Sequence, residues 1–152
     1  MKKLLALGAL AALCFSATAF AADPILGTWT LDVSKSQFGP TRLSAGTRVY
    51  TESKGTYTLD QKLTTADGKE ISSKATYRNG KETKQGASDV ADSTMAKKID
   101  ANTWDFELKK DGKVVGHVHR TVSADGKTLT VRNSGVKLSG TSGEETLVFD
   151  KQ

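Results

Sequence analysis

Arg120 is the residue whose type and place could do the most chemistry. In the run Lys113 to Val122 (KVVGHVHRTV) it keeps period-two phase with Val114, Gly116, Val118 and Val122. A guanidinium on an apolar face needs a carboxylate or several other acceptors, because an unpaired buried charge is costly. Three partners would satisfy it. One is the acid group of a bound ligand, held by a charge-assisted and often bidentate contact. Another is an internal Asp or Glu. The third is water, if a bulge turns the side chain outward. Gln61, Ser73 and Lys97 also fall in phase with apolar neighbours. Among Tyr57, Tyr77, Trp104 and Phe106, such polar positions would line a mixed pocket. Otherwise they lie in water at its mouth, which is the expectation for Lys97. His117 and His119 are the only histidines. Two residues apart on a strand, they project from one face, and with a carboxylate from a neighbouring strand they could grip zinc or copper. Their phase partners Val115 and Thr121 put them on the wet face, so a solvated pair with no metal is expected.

Other chemistries find no residues to carry them. There is no Gly-x-Ser-x-Gly elbow, no phosphate loop and no dinucleotide fingerprint. The carboxylates lie mostly at turns or on polar faces, so no acid–base pair stands out. No enzyme activity and no cofactor are expected. The formal charge of +5 invites a nucleic-acid partner, but the lysines are scattered over many turns. A nucleic-acid site needs a basic stripe with interleaved aromatics, so none is expected.

The elements that must position these residues are strands. Asp67-Gly68, Asn79-Gly80, Asp111-Gly112 and Asp125-Gly126 are each followed by Lys. Such pairs suit a type I′ turn, with positive φ at both central positions, between two twisted strands. Between the turns the period is two: Trp29, Leu31 and Val33; Tyr57, Leu59, Gln61 and Leu63; Ile71, Ser73, Ala75 and Tyr77; Trp104, Phe106 and Leu108; Leu129 and Val131; Leu147 and Phe149. Alternation of this kind means one dry face and one wet face. No segment has a convincing helical period. Eight to ten strands joined as neighbours by short turns predict an all-β fold, an antiparallel up-and-down β-barrel. A barrel of this size holds side chains or one small ligand.

The first segment is expected to lie outside that domain. Met1-Lys2-Lys3, the apolar run Leu4 to Phe15 and the small residues of Ala19-Phe20-Ala21 have the layout of a bacterial signal peptide, cut after Ala21. The run is too short for a membrane span. Export to the periplasm or beyond is predicted, with residues 22–152 as one domain. Loss of Lys2 and Lys3 lowers the charge from +5 to +3, and the only cysteine, Cys14, leaves too. The charge then marks solubility rather than a polyanion partner.

Gly27-Thr28-Trp29, at the start of the first strand, resembles the Gly-x-Trp signature of the lipocalin and fatty-acid-binding (calycin) superfamily. The closing stretch, Arg120 to Lys127 (RTVSADGK) and then the last strand ending Val148-Phe149-Asp150-Lys151-Gln152, resembles the final hairpins of fatty-acid-binding proteins. Gly27 to Phe38 (GTWTLDVSKSQF) resembles small secreted bacterial proteins described as lipocalin-like. The second and third lipocalin signatures are missing, and Gly39-Pro40 interrupts the place where fatty-acid-binding proteins carry a helical lid. The avidin group shares Gly-Thr-Trp, but two tryptophans are too few for a biotin site. The resemblance implies that Trp29, with Gly27, closes one end of the barrel. It also implies that an interior arginine holds a ligand carboxylate. Arg120 stands one residue further from the Asp125-Gly126 turn than in that pattern, which leaves its facing open. The expected function is a secreted or periplasmic protein that takes a small apolar, fatty-acid-like ligand in the barrel interior through Arg120, Tyr57, Gln61, Tyr77, Trp104 and Phe106. The alternative is a filled barrel acting through its surface on a protein partner, as an envelope-stress factor or an inhibitor of an exported hydrolase.

Overall fold

A computed structural model describes residues 21–86, 90–135 and 143–152. All of the expected leader but Ala21, Cys14 included, lies outside the described residues. Ten strands follow in order: β1 Gly27–Gln37, β2 Leu43–Ser53, β3 Thr56–Thr65, β4 Glu70–Tyr77, β5 Lys81–Lys84, β6 Ser93–Lys98, β7 Thr103–Lys110, β8 Lys113–Val122, β9 Thr128–Gly135 and β10 Glu145–Lys151. No helix is present among the described residues, and none is long and apolar enough to cross a membrane.

The strands form one antiparallel sheet in the order β4-β3-β2-β1-β10-β9-β8-β7-β6-β5. Sequence neighbours pair except β4 and β5, and β1 pairs with β10 to join the first strand to the last. The sheet curls into a nearly closed barrel with a seam between β4 and β5. Near the Asn79-Gly80 turn a bridge joins Arg78 to Lys81. Farther up, the Gln85 side-chain amide donates to the Thr76 carbonyl at 2.8 Å. The two edge strands carry exposed Lys74, Lys81 and Lys84, charges that discourage edge-to-edge association.

Alternation positions the interior. Trp104, Phe106 and Leu108 on β7, Leu129 and Val131 on β9, and Leu147 and Phe149 on β10 are all buried. Two expected inward residues are not. Val33 is 37% exposed and Val114 46% exposed. After Asp32 the β1–β10 register shifts. There the Asp32 carboxylate accepts from the backbone N–H groups of Ser34 and Lys35, which turns the strand locally. Val114 lies beyond a register shift in the β7–β8 pair, next to the Asp111-Gly112 turn, and Val115 packs against the core instead.

The turns depart from the sequence expectation in one respect. Only Asp111-Gly112 has positive φ at both positions, 50° and 74°. At Gly68, Gly80 and Gly126 the glycine alone is positive. The loops at Gly68 and Gly126 are longer than a two-residue hairpin, closed by Thr65 N–H to Lys69 O and Ser123 N–H to Thr128 O. A second doubly positive pair, Lys54-Gly55 at 50° and 77°, joins β2 to β3. Its Lys-Gly sequence is a weaker turn signal than Asn-Gly or Asp-Gly.

Candidate functional site

One end of the barrel is sealed by the chain start. Residues 23–26 fold back across it and bury Ile25. Trp29 is fully buried, and its indole N–H donates to the Ile25 carbonyl at 2.8 Å. Lys151 Nζ stands 4.9 Å from its ring centre. Gly27, at φ 116°, brings its backbone against the Lys151 side chain. Asp23 gathers the remaining polar groups. Its Oδ2 accepts from the Tyr57 hydroxyl at 2.9 Å and from Lys98 Nζ at 2.5 Å, and its Oδ1 accepts from Ile25 N–H at 3.1 Å. Burial, aided by this hydrogen bond, pushes the Tyr57 hydroxyl up to about 12. Tyr57, Tyr77 and Trp104 stack and meet edge to face just above, with centroids 4.9–5.3 Å apart.

Above this aromatic floor the interior turns polar without being satisfied. Arg120 faces inward, 6% exposed, with its guanidinium 4.1 Å from the Phe106 ring centre and 5.5–5.6 Å from those of Tyr50 and Tyr77. Its Nε and Nη1 have no partner. Arg48 on β2 is fully buried over the Phe149 ring at 4.7 Å. It donates from Nη1 to the Tyr50 hydroxyl at 3.4 Å, while Nε and Nη2 are unpartnered. These two nitrogens form the side-on fork that a two-oxygen acid matches. Burial pulls the Arg48 pKa below the usual guanidinium value, and the nearby Arg120 charge adds to this. The Tyr77 hydroxyl and one amide atom of Gln61 also lack partners. Burial pushes the Tyr77 pKa well above the ordinary phenol value, with Arg120 acting against the rise. Glu145 is buried nearer the opposite end, and its Oε1 accepts from Asn133 at 2.8 Å. It forms no ion pair with either arginine. Cation–π contact offsets part of the cost of these cations, but it does not replace the missing acceptors.

Of these groups Arg120, Gln61 and Tyr77 border a cavity of about 400 Å³ inside the barrel, running from Phe106, Tyr77 and Arg120 past Leu59 and Gln61 to the β4–β5 seam, whereas Arg48 and Glu145 do not line it. The volume is in the range of small-molecule sites. Of the residues the sequence picks out, Arg120, Gln61, Tyr77 and Phe106 meet here. Tyr57 and Trp104 belong to the floor beneath. Trp104 is 1% exposed and its indole N–H is unpartnered. Ser73 is exposed on the edge strand, yet its hydroxyl lies 3.3 Å from Gln61 Nε2. Lys97 lies in water, as expected, but its phase is corrected. It pairs with Asp105 on the outward face and is exposed. The inward residue is Lys98, whose ammonium lies 5.5 Å from the Trp104 ring centre. The phase along β6 is therefore one residue off the expected one.

A broader groove of about 840 Å³ borders Lys97, Asp105, His117, His119 and Arg132 on the outward faces of β6 to β9 and reaches Phe38 and the buried Asn133 and Glu145. Both histidines are exposed there, and His119 Nδ1 contacts Asp105 Oδ1 at 2.5 Å. Among the described residues, no three His, Cys, Asp or Glu side chains are placed to hold a metal ion.

Sequence reasoning missed Arg48, Tyr50, Asn133 and Glu145. Each was available from period two: Gly46, Arg48 and Tyr50 alternate on β2, Asn133 follows Leu129 and Val131, and Glu145 precedes Leu147 and Phe149. Asp23 had no such signal, because it stands outside the strands and acts only through the fold-back of the chain start.

No protein-family model matches the chain, and no curated protein sequence matches it. Solved structures do. A Schistosoma mansoni fatty acid binding protein in complex with arachidonic acid superposes with a TM-score of 0.59 at 14% identity, covering 85% of this chain and 96% of that one. The REP1-NXSQ fatty acid transporter gives 0.59 at 13%, covering 86% and 98%. As-p18, an extracellular fatty acid binding protein, gives 0.56 at 17%, covering 86% and 97%. At these identities the likeness is one of architecture: the chain shares the antiparallel barrel fold of these solved structures, with ten strands and no helix among its described residues.

Proposed function

We propose that this protein is an exported carrier or receptor for a small, mainly apolar acid, taken into the barrel interior with its acid group toward Arg120. One observation carries the reading. Arg120 is buried in the wall of a cavity with two unpartnered guanidinium nitrogens and no carboxylate paired to it. A buried cation in this state is incomplete, and a ligand acid completes it. The walls of Leu59, Ile71, Tyr77, Phe106, Leu108 and Val118 supply apolar burial at about 25 cal/mol per Å². The fatty acid transporter and the arachidonic acid complex of the same fold are consistent with this. Binding, rather than catalysis, suits a site with no nucleophile–base pair. Export rests on the leader-like residues 1–21 and predicts a protein that starts at Ala22 when isolated from the cell envelope.

The test uses delipidated protein, oleic acid and oleyl alcohol, with binding measured by displacement of a fluorescent fatty-acid probe. A charged hydrogen-bonding group contributes about 1.5–3 kcal/mol. Arg120→Ala should therefore weaken oleic acid about ten- to a hundredfold and leave oleyl alcohol nearly unchanged. Equal losses for acid and alcohol would refute the anchor. Failure of the wild type to bind either would favour the filled barrel acting on a protein partner.

A further inference from the structure

Gln61 occupies a place that a simple alkyl acid does not explain. It is 3% exposed, on β3 opposite Arg48, and lines the same cavity as Arg120. Its amide nitrogen meets the Ser73 hydroxyl at 3.3 Å, and its amide oxygen has no partner. Turning the amide over only exchanges the roles: the oxygen then accepts from Ser73 and the nitrogen is left unpartnered. Either way, one buried polar atom faces a cavity lined there by Leu59, Ile71 and Ala75, with Ser72, Ser73 and Lys74 on the edge strand beside them. An alkyl chain lying there would bury this atom against methylenes, which is unfavourable. A hydroxyl would satisfy it in either orientation, since it both donates and accepts.

Strand β4 gives the spacing. Tyr77, whose ring centre is 5.6 Å from the Arg120 guanidinium, marks the acid end. Ser73, the hydrogen-bonding neighbour of Gln61, marks the second polar point. Four residues of strand separate them, roughly 13 Å at about 3.3 Å per residue. We propose that the ligand is a hydroxylated long-chain acid, its acid group at Arg120 and a mid-chain hydroxyl bound by Gln61. The proposal rests on the acid-binding reading above and adds the second polar group to it. Tyr77, with its own unpartnered hydroxyl, belongs to the acid end.

Ricinoleic and oleic acids form the test pair, because they differ only by a mid-chain hydroxyl. Affinities are measured on delipidated full-length domain by displacement and by calorimetry. The wild type should prefer ricinoleic acid by about tenfold or more. Gln61→Met, of similar length and without the amide, should bring the ratio to about one or below by tightening oleic acid and weakening ricinoleic acid. Arg120→Ala should weaken both acids and keep the ratio. Equal affinity of the two acids in the wild type, or a preference that persists in Gln61→Met, would overturn the Gln61 assignment while leaving the acid-binding reading intact. If neither acid binds the wild type, that reading fails and this one falls with it. Since the wild-type ratio needs no variant, a misfolded Gln61→Met would not rescue the idea.

Discussion

The two halves of the barrel interior treat polar atoms in opposite ways. At the sealed end the Trp29 indole, the Tyr57 hydroxyl, the Lys98 ammonium and both oxygens of Asp23 are partnered. One step up, Arg48, Arg120, Gln61 and Tyr77 are just as buried, and each has at least one polar atom without a partner. Folded proteins rarely leave such groups orphaned. Both regions are enclosed by the same strands, so burial alone does not separate structure from function here. Satisfaction does. Apart from the Trp104 indole N–H, the sealed end is complete in the folded chain, whereas the chamber above it is complete only with something bound.

The largest effect should come from breaking the complete half. Trp29 is 0% exposed at the sealed end, with its indole N–H on the Ile25 carbonyl. Trp29→Ala should cost about 3–5 kcal/mol, read as a fall in the thermal midpoint of roughly 10–20 °C. A change of only a few degrees would mean that the sealed end contributes little and that the contrast between the halves has no energetic basis.

In the incomplete half the sign should reverse. Arg48 has two unpartnered nitrogens, and a methionine of similar length fills its space without them. Replacement of buried charged groups by apolar ones is often neutral or stabilising. Arg48→Met in the delipidated protein should unfold at the same or higher urea concentration, with a gain of up to about 2 kcal/mol. A loss of stability above about 1 kcal/mol would show that the guanidinium is already satisfied in the folded chain.

Much of this was legible in the sequence, because the fold is built from the simplest signals available. Alternation along Trp104 to Leu108 and Leu129 to Val131, together with the Asp-Gly and Asn-Gly pairs, encodes an up-and-down all-β barrel, and Arg120 falls inward by phase. What was hidden depends on irregularity. Val33 leaves the core because the Asp32 carboxylate draws in the backbone of Ser34 and Lys35, a local event that period two does not encode. The inward lysine is Lys98 rather than Lys97 because the start of β6 is set by pairing with β7, not by its own sequence. The partnership of Asp23 with Tyr57 and Lys98 joins residues 34 and 75 positions apart, beyond any local reading. The orphaned state of Arg48 and Gln61 is a property of the assembled interior, since it depends on what the other nine strands fail to supply.

The finest test of the contrast uses one chemical change at two stacked rings. Tyr57 and Tyr77 lie with centroids 5.3 Å apart, but only Tyr57 has a partner for its hydroxyl, Asp23. At neutral pH Tyr57→Phe should lose about 1 kcal/mol, the net worth of an ordinary hydrogen bond. Tyr77→Phe should lose nothing, or gain slightly, because the hydroxyl it removes was buried and unpaired. In alkali the two should behave alike. Burial raises both phenols above their ordinary value near 10, Tyr57 to about 12. A raised pKa in the folded state means that its contribution is fully present below the unfolded value and is lost as pH rises through the folded one. The wild type should therefore lose stability between about pH 10 and 12, and each Phe variant should flatten that fall by removing one ionisable group. Urea midpoints at neutral pH and across that window separate the two effects. If Tyr77→Phe costs as much as Tyr57→Phe at neutral pH, the Tyr77 hydroxyl is already partnered in the free protein, and the upper chamber is as complete as the floor beneath it.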